Sequence, residues 1–128
     1  MATVSENSEP RYTVKIGDTW LPDMLGTEDT SGSSKSSAGI FGQIITDFTL
    51  GDGYTYAVRG KRGKWVSGNK YDKEANLSKG GPVTGLKIDG NVIYAVHIKG
   101  GNWLTPVNGG TEIGIGVPID AVWIELVD

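Results

Sequence analysis

The side chains with the greatest capacity for binding in this sequence are aromatic and recur at a regular spacing. Each of three tyrosines precedes a tryptophan by eight or nine residues: Tyr12 and Trp20, Tyr56 and Trp65, and Tyr94 and Trp103. An aromatic ring offers a rigid surface that can stack on a sugar ring while its polar group meets a hydroxyl. The spacing indicates three contact points for a carbohydrate, unless the rings pack in the core or between repeats, or lie partly buried on strands.

A basic or semi-basic residue lies three positions after each tyrosine: Lys15, Arg59 and His97. This row predicts side chains that are simply solvated, or that bond to sugar hydroxyls or to an anionic polymer. Residues 59–73 hold half of the twelve Lys and Arg residues and a single acid, Asp72. This local positive patch could contact phosphates, or it could serve solubility alone.

Trp123 lies in the last predicted strand, at the position that Thr49 and Lys87 occupy in the earlier repeats. Because those two residues are expected to face solvent, Trp123 is predicted to be exposed. An exposed tryptophan on a folded domain marks a ligand contact, a packing site for a terminal tail, or a contact between two copies.

The composition excludes much chemistry. Cysteine is absent and His97 is the only histidine, which excludes disulfides, Cys-ligated zinc, iron–sulfur clusters and a thiol nucleophile. No motif places a nucleophile beside His97, and no calcium loop is present. We therefore expect no enzymatic activity, no metal and no cofactor. The net charge of −3 and the lack of a long apolar run argue against nucleic-acid and membrane partners.

The elements that position these residues are predicted to be short strands. The opening segments, such as residues 94–98, and the closing segments, such as residues 118–124, place apolar residues two apart on one face. Gly accounts for 20 of 128 residues, and Asp-Gly pairs between the segments favour tight turns. The sequence therefore predicts an all-β protein.

The pattern occurs three times. We predict a flexible tail or linker end at residues 1–10, followed by a single domain at residues 11–128. Its first, second and third repeats span residues 11–53, 54–91 and 92–128, and a serine-rich insertion occupies residues 27–38. A unit of about 40 residues cannot bury its own apolar face, whereas three units about a common axis can. We expect a pseudo-threefold, β-trefoil-like domain, with a β-sandwich or small barrel as the alternatives.

The repeat unit also resembles a known family. Residues 94–104 (YAVHIKGGNWL), residues 38–42 (AGIFG) and residues 118–122 (PIDAV) are similar to motifs in the C-terminal cell-wall-binding region of enterolysin A and related phage endolysins. The resemblance covers about residues 11–127. The second repeat departs from it, because Val66 follows Trp65 and no Leu-Pro pair is present.

The resemblance implies a non-catalytic targeting domain of a bacteriophage endolysin or bacteriocin, acting outside the cell at the bacterial wall. Its partners would be Gram-positive peptidoglycan or an attached wall polysaccharide, bound multivalently, and a lytic domain elsewhere in the parent protein. Oligomerisation stays open. A lectin-like carbohydrate-binding domain and a structural virion protein are the alternatives. The predicted ligand-binding residues are Trp20, Trp65, Trp103, Tyr12, Tyr56, Tyr94, His97, Arg59 and Trp123.

Overall fold

The structure is a computed structural model that describes residues 11–26, 37–51 and 53–126. The predicted tail at residues 1–10 and most of the serine-rich insertion lie outside these ranges. Within the ranges, no helix has the length and apolar character needed to cross a membrane.

The described residues form eleven short strands and one 3₁₀ helix, Lys61–Gly63. The all-β prediction is therefore confirmed. The strands, in chain order, are β1 (Arg11–Ile16), β2 (Thr19–Trp20), β3 (Met24–Leu25), β4 (Ala38–Gly39), β5 (Ile45–Leu50), β6 (Tyr56–Arg59), β7 (Trp65–Gly68), β8 (Gly85–Ile88), β9 (Val92–Ile98), β10 (Val107–Asn108) and β11 (Ile119–Leu126).

The strands form three antiparallel sheets, each built around one of the tyrosine-bearing strands. In the first sheet, β1 pairs with β2, β3 and β5; in the second, β6 lies between β7 and β8. In the third, β9 lies between β10 and β11, and β4 of the first repeat extends the sheet beyond β11. No sheet within the described ranges closes into a barrel. Separate antiparallel sheets are consistent with the sandwich-like alternative.

The pairing register repeats from sheet to sheet. The tyrosine of each opening strand lies opposite an apolar residue of its closing strand: Tyr12 opposite Leu50, Tyr56 opposite Ile88, and Tyr94 opposite Ile124. The three sheets therefore share one internal plan, as the spacing of the motifs indicated.

The three tyrosines belong to the core, which draws residues from all three repeats. Their side chains are at most 2% exposed. Each hydroxyl is hydrogen-bonded to the closing strand of another repeat: Tyr12 to Ile124, Tyr56 to Leu50 and Tyr94 to Ile88. The prediction that Tyr12, Tyr56 and Tyr94 contact a ligand is therefore wrong, because the same rings fill the shared core and join the repeats.

Loops cover the outer faces of the sheets, and this overturns two expectations of solvent exposure. Thr49 is buried, and its hydroxyl accepts a hydrogen bond from the backbone N–H of Asp72, in the loop after β7, at 2.7 Å. Trp123 is only 7% exposed. It lies on the outer face of β11, but residues of the loop that follows β9 and of the first repeat cover that face.

Two glycines allow one repeat to lie directly on the next. Gly39, at φ +135°, lies beside β11 so closely that a Cβ atom would be 2.6 Å from the Cα of Ala121. Gly114, at φ +138°, lies beside β8 in the same way, and its Cβ atom would be 2.8 Å from the Cα of Gly85. A side chain at either position would clash with backbone and would also be held at a φ that favours glycine.

Candidate functional site

An open pocket of about 430 Å³ lies on the outer face of the third sheet, and we call it the aromatic pocket. Its floor is the pair Ala95 and Trp123, which lie opposite each other in β9 and β11. The remaining lining residues come from the loop after β9 and from the first repeat: Trp103, Leu104, Pro106, Ser37 and Phe41. The pocket is therefore an inter-repeat site with mainly apolar and aromatic walls.

A tight hairpin after β9 positions Trp103. Leu104 donates its backbone N–H to the carbonyl of Val96 at 3.0 Å, and this bond folds the loop back along β9. Trp103 is thereby placed opposite His97, with the two ring centres 5.3 Å apart and the planes at 76°. The indole is 39% exposed, so one part of it remains accessible from the pocket.

Phe41 reaches this site from the first repeat. Its ring stacks on the imidazole of His97, with centres 4.2 Å apart and planes 18° from parallel, and meets the edge of Trp103 at 6.2 Å. Phe41 is nevertheless 61% exposed. A large apolar ring that is held in place yet left open to solvent is typical of a binding surface.

Asp120 fixes the geometry of the cluster. Its side chain is 1% exposed, and one carboxylate oxygen lies 2.6 Å from Nδ1 of His97. The other oxygen accepts the backbone N–H of Gly42 at 2.7 Å. These two hydrogen bonds join Asp120 both to the His97 ring and to the backbone of Gly42. Asp120 therefore orients the imidazole. It also anchors residues 40–44, the loop between β4 and β5 that carries Phe41 and that we call the Phe41 loop.

The other two repeats bring the same residue types together. In β1 and β2, Lys15 lies opposite Trp20, with its Nζ 6.0 Å from the centre of the indole, and Trp20 is half-buried. In β6 and β7, Arg59 lies opposite Trp65, which is 37% exposed. The predicted tryptophans and basic residues thus meet within each repeat. Their contact with a ligand stays a prediction.

Phe41 and Asp120 were not among the predicted site residues. The Ala-Gly-Ile-Phe-Gly motif carried Phe41, but its spacing gave no sign that it contacts a histidine 56 positions later in the chain. Asp120 lay in the Pro-Ile-Asp motif of the third repeat. The signal that could have identified Phe41 is its position between two glycines in a segment without strand alternation, because such a segment is typical of an exposed loop.

Comparisons of the chain with protein-family models, curated proteins and solved structures find no match. Within the described ranges, no group of three or more His, Asp or Glu side chains is arranged to hold a metal ion. The fold and the site define a class of architecture: three antiparallel sheets around one core, with an aromatic surface pocket where the first and third repeats meet.

Proposed function

We propose that this chain is a non-catalytic domain that binds glycans of the Gram-positive cell wall, either peptidoglycan or an attached polysaccharide. In this proposal it holds a lytic catalytic domain of the parent protein close to its substrate, outside the cell. The motifs shared with wall-binding regions of lysins suggest this role. The aromatic pocket is the observation that carries it.

The pocket suits a sugar for physical reasons. Phe41 and Trp103 lie nearly edge to face, so the two rings form adjoining walls that meet at an angle rather than one flat surface. A pyranose presents apolar C–H faces and polar edges, and rigid aromatic rings bind such faces without losing much conformational entropy. The His97 ring, held by Asp120, stacks on Phe41 and so helps to fix the position of that wall.

The repeated plan supports multivalent binding. A tryptophan and a basic residue lie together in each sheet, so a polymer could engage more than one repeat. Weak sites on one rigid domain reinforce one another because the second contact is made at a high effective concentration.

A sedimentation assay with purified Gram-positive cell walls tests the proposal. Each wall is used before and after removal of its attached polysaccharides, with the intact chain, Trp103→Ala, Phe41→Ala and the control Leu25→Ala. Leu25 is 53% exposed and does not line the aromatic pocket. We expect both pocket variants to lose at least about tenfold in affinity, as central interface residues commonly do, and the control to bind normally.

Three outcomes would contradict the proposal. Binding to free saccharides but to no wall would favour the lectin-like alternative. A large stable oligomer without glycan affinity would favour a structural virion protein. Lysis of a wall suspension by this chain, abolished by His97→Ala, would assign catalysis to the His97–Asp120 pair.

A further inference from the structure

The second repeat contains a basic site whose chemistry differs from that of the aromatic pocket. Arg59 in β6 lies between Trp65 in β7 and Gly85 in β8, each directly opposite it in the sheet. Gly85 has no side chain, and a Cβ there would lie 3.1 Å from the Trp65 ring. The indole therefore lies close over the sheet, beside Arg59, with 37% of its surface exposed.

Arg59 has no anionic partner within the described residues. Its Nε is buried and makes no hydrogen bond, and no carboxylate in those ranges lies within ion-pair distance of it. A buried guanidinium N–H without a partner is energetically unfavourable, because it has lost water without gaining an acceptor. Arg59 is half-buried, so its terminal guanidinium nitrogens are the donors that a bound anion would contact.

The contrast with the third repeat explains why Arg59 lacks a carboxylate partner within the described ranges. His97 and Arg59 occupy the same position in their sheets, opposite Ala121 and Gly85 respectively. The residue before Ala121 is Asp120, which bonds to His97. The residue before Gly85 is Thr84, whose hydroxyl instead lies 3.4 Å from the backbone carbonyl of Arg59. The carboxylate that bonds to the basic residue of the third repeat therefore has no counterpart beside Arg59 among the described residues.

The turn that follows Arg59 carries further positive charge. The turn after β6 carries three exposed cations, Lys61, Arg62 and Lys64. Backbone hydrogen bonds fix the turn, including the bond from Lys61 N–H to the carbonyl of Ser78 at 3.0 Å. The turn lies against Arg59, because a Cβ atom at Gly63 would be 3.4 Å from the Arg59 Nε. The three cations of the turn form no ion pair within the described ranges.

We infer that Arg59, Trp65 and the turn at residues 60–64 form a second ligand site, the Arg59 site, which binds a phosphate-bearing sugar or polyol unit of a wall polymer. The guanidinium and the turn cations bind the phosphate, for which Arg offers paired donors. Trp65 packs on the adjoining carbon skeleton. This inference rests on the proposed function, because the wall presents such phosphodiester polymers.

Titration calorimetry at low salt with a poly(glycerol phosphate) oligomer tests the inference. We expect the intact chain to bind the oligomer and Arg59→Gln to bind it at least about tenfold more weakly, the size expected for loss of a charge-assisted pair. Lys99→Gln is the matched control, because it removes one exposed positive charge from the third repeat. Its affinity should stay within about twofold of the intact chain, since exposed charges interact weakly.

A second variant tests the inference if Arg59→Gln does not fold. The variant in which Lys61, Arg62 and Lys64 are all replaced by Gln changes only exposed side chains, and we expect it to lose at least about fivefold in affinity. No binding of the oligomer by the intact chain, or unchanged affinity of either variant, would overturn the inference. Tighter binding of a single-stranded oligonucleotide of equal charge would also overturn it, in favour of nucleic acid.

Binding to cell walls stripped of their phosphate polymers distinguishes failure of this inference from failure of the proposed function. Retained binding to stripped walls, lost in Phe41→Ala, together with no binding of the oligomer, would reject only the Arg59 site. Binding of the oligomer without binding of any stripped wall, and with Phe41→Ala unaffected, would reject only the glycan role of the aromatic pocket.

Discussion

The hydroxyl of Tyr12, in the first strand, accepts a hydrogen bond at 3.3 Å from the backbone N–H of Ile124, in the last strand. These residues are 112 positions apart in the chain. Tyr56 and Tyr94 make corresponding contacts with the repeats that precede them, at Leu50 and Ile88. The bond of Tyr12 completes the cycle, so the first and third repeats are joined as directly as repeats that follow one another in the chain.

This burial predicts sensitivity to alkali. Burial raises the pKa of Tyr12 to about 12, and the charge of Glu125 contributes in the same direction. The folded protein therefore keeps this proton above pH 10, where the unfolded chain releases it. Titration of Tyr12 should not affect the free energy of unfolding below pH 10. Its contribution should lower the free energy of unfolding by about 2–3 kcal/mol as the pH rises from 10 to 12.

Urea unfolding at pH 9, 10, 11 and 12 measures this effect, with Tyr12→Phe as the comparison. The variant should be less stable by about 1–3 kcal/mol at pH 9, because the buried N–H of Ile124 loses its acceptor. It should then lose less stability than the wild type as the pH rises. Equal pH dependence in the two proteins would show that Tyr12 does not titrate in this range.

Phe41→Ala should separate binding from stability. Because the ring is 61% exposed, its removal should change the free energy of unfolding by less than about 1 kcal/mol. Affinity for purified cell walls should nevertheless fall at least about tenfold. Thermal or urea unfolding and wall sedimentation are measured on the same preparations, with Leu25→Ala as the control. A variant that binds walls normally would remove Phe41 from the site.

Asp120→Asn should loosen the aromatic pocket. The substitution removes the carboxylate that bonds to His97 and to the backbone of Gly42 in a nearly water-free position. We expect a loss of about 1–3 kcal/mol in the free energy of unfolding. His97 is the only histidine, so its ring protons report the stacking with Phe41 without ambiguity in a proton NMR spectrum.

The ring-current shift of His97 should decrease in Asp120→Asn, as it should in Phe41→Ala. The exposed turn residue Asp18 provides the control, and Asp18→Asn should leave both the shift and the stability unchanged. An unaltered His97 spectrum in Asp120→Asn would mean that the Phe41 loop holds the ring without the carboxylate.

Gly39→Ala should be among the most destabilising single substitutions in this protein. Its Cβ would lie 2.6 Å from the Cα of Ala121, at a φ of +135° that side chains rarely adopt, so we expect a loss of about 3 kcal/mol or more. Gly17→Ala is the matched control. Gly17 also has positive φ, but open space surrounds its Cβ position, so a loss of about 1–2 kcal/mol is expected. Urea unfolding compares them, and equal losses would mean that the Phe41 loop moves easily away from β11.

Much of the local structure was predictable. Alternation in segments such as residues 94–98 and 118–124 identified the opening and closing strands, because a half-buried strand imposes a period of two on its side chains. The recurring distance from tyrosine to tryptophan identified the repeated plan, and the registers of the three sheets agree with it. These features depend on neighbours in the chain, so the sequence records them directly.

The exposure of individual aromatic side chains was less predictable. Tyr12, Tyr56 and Tyr94 were expected to face a groove, yet they fill the core. Trp123 was expected in solvent, yet it forms the floor of a pocket. Periodicity tells which residues share a face of a strand, but it cannot tell whether a distant loop covers that face.

The sequence by itself determined the all-β class and the threefold recurrence of the tyrosine-to-tryptophan spacing. Only the tertiary structure decided that Phe41 of the first repeat stacks on His97 of the third, and that Asp120 bonds to His97. It also decided that Arg59 has no carboxylate partner among the described residues. The reason is physical. Strand formation follows from side-chain alternation over a few residues, whereas a site between repeats depends on how whole sheets pack, and sequence spacing does not encode that distance.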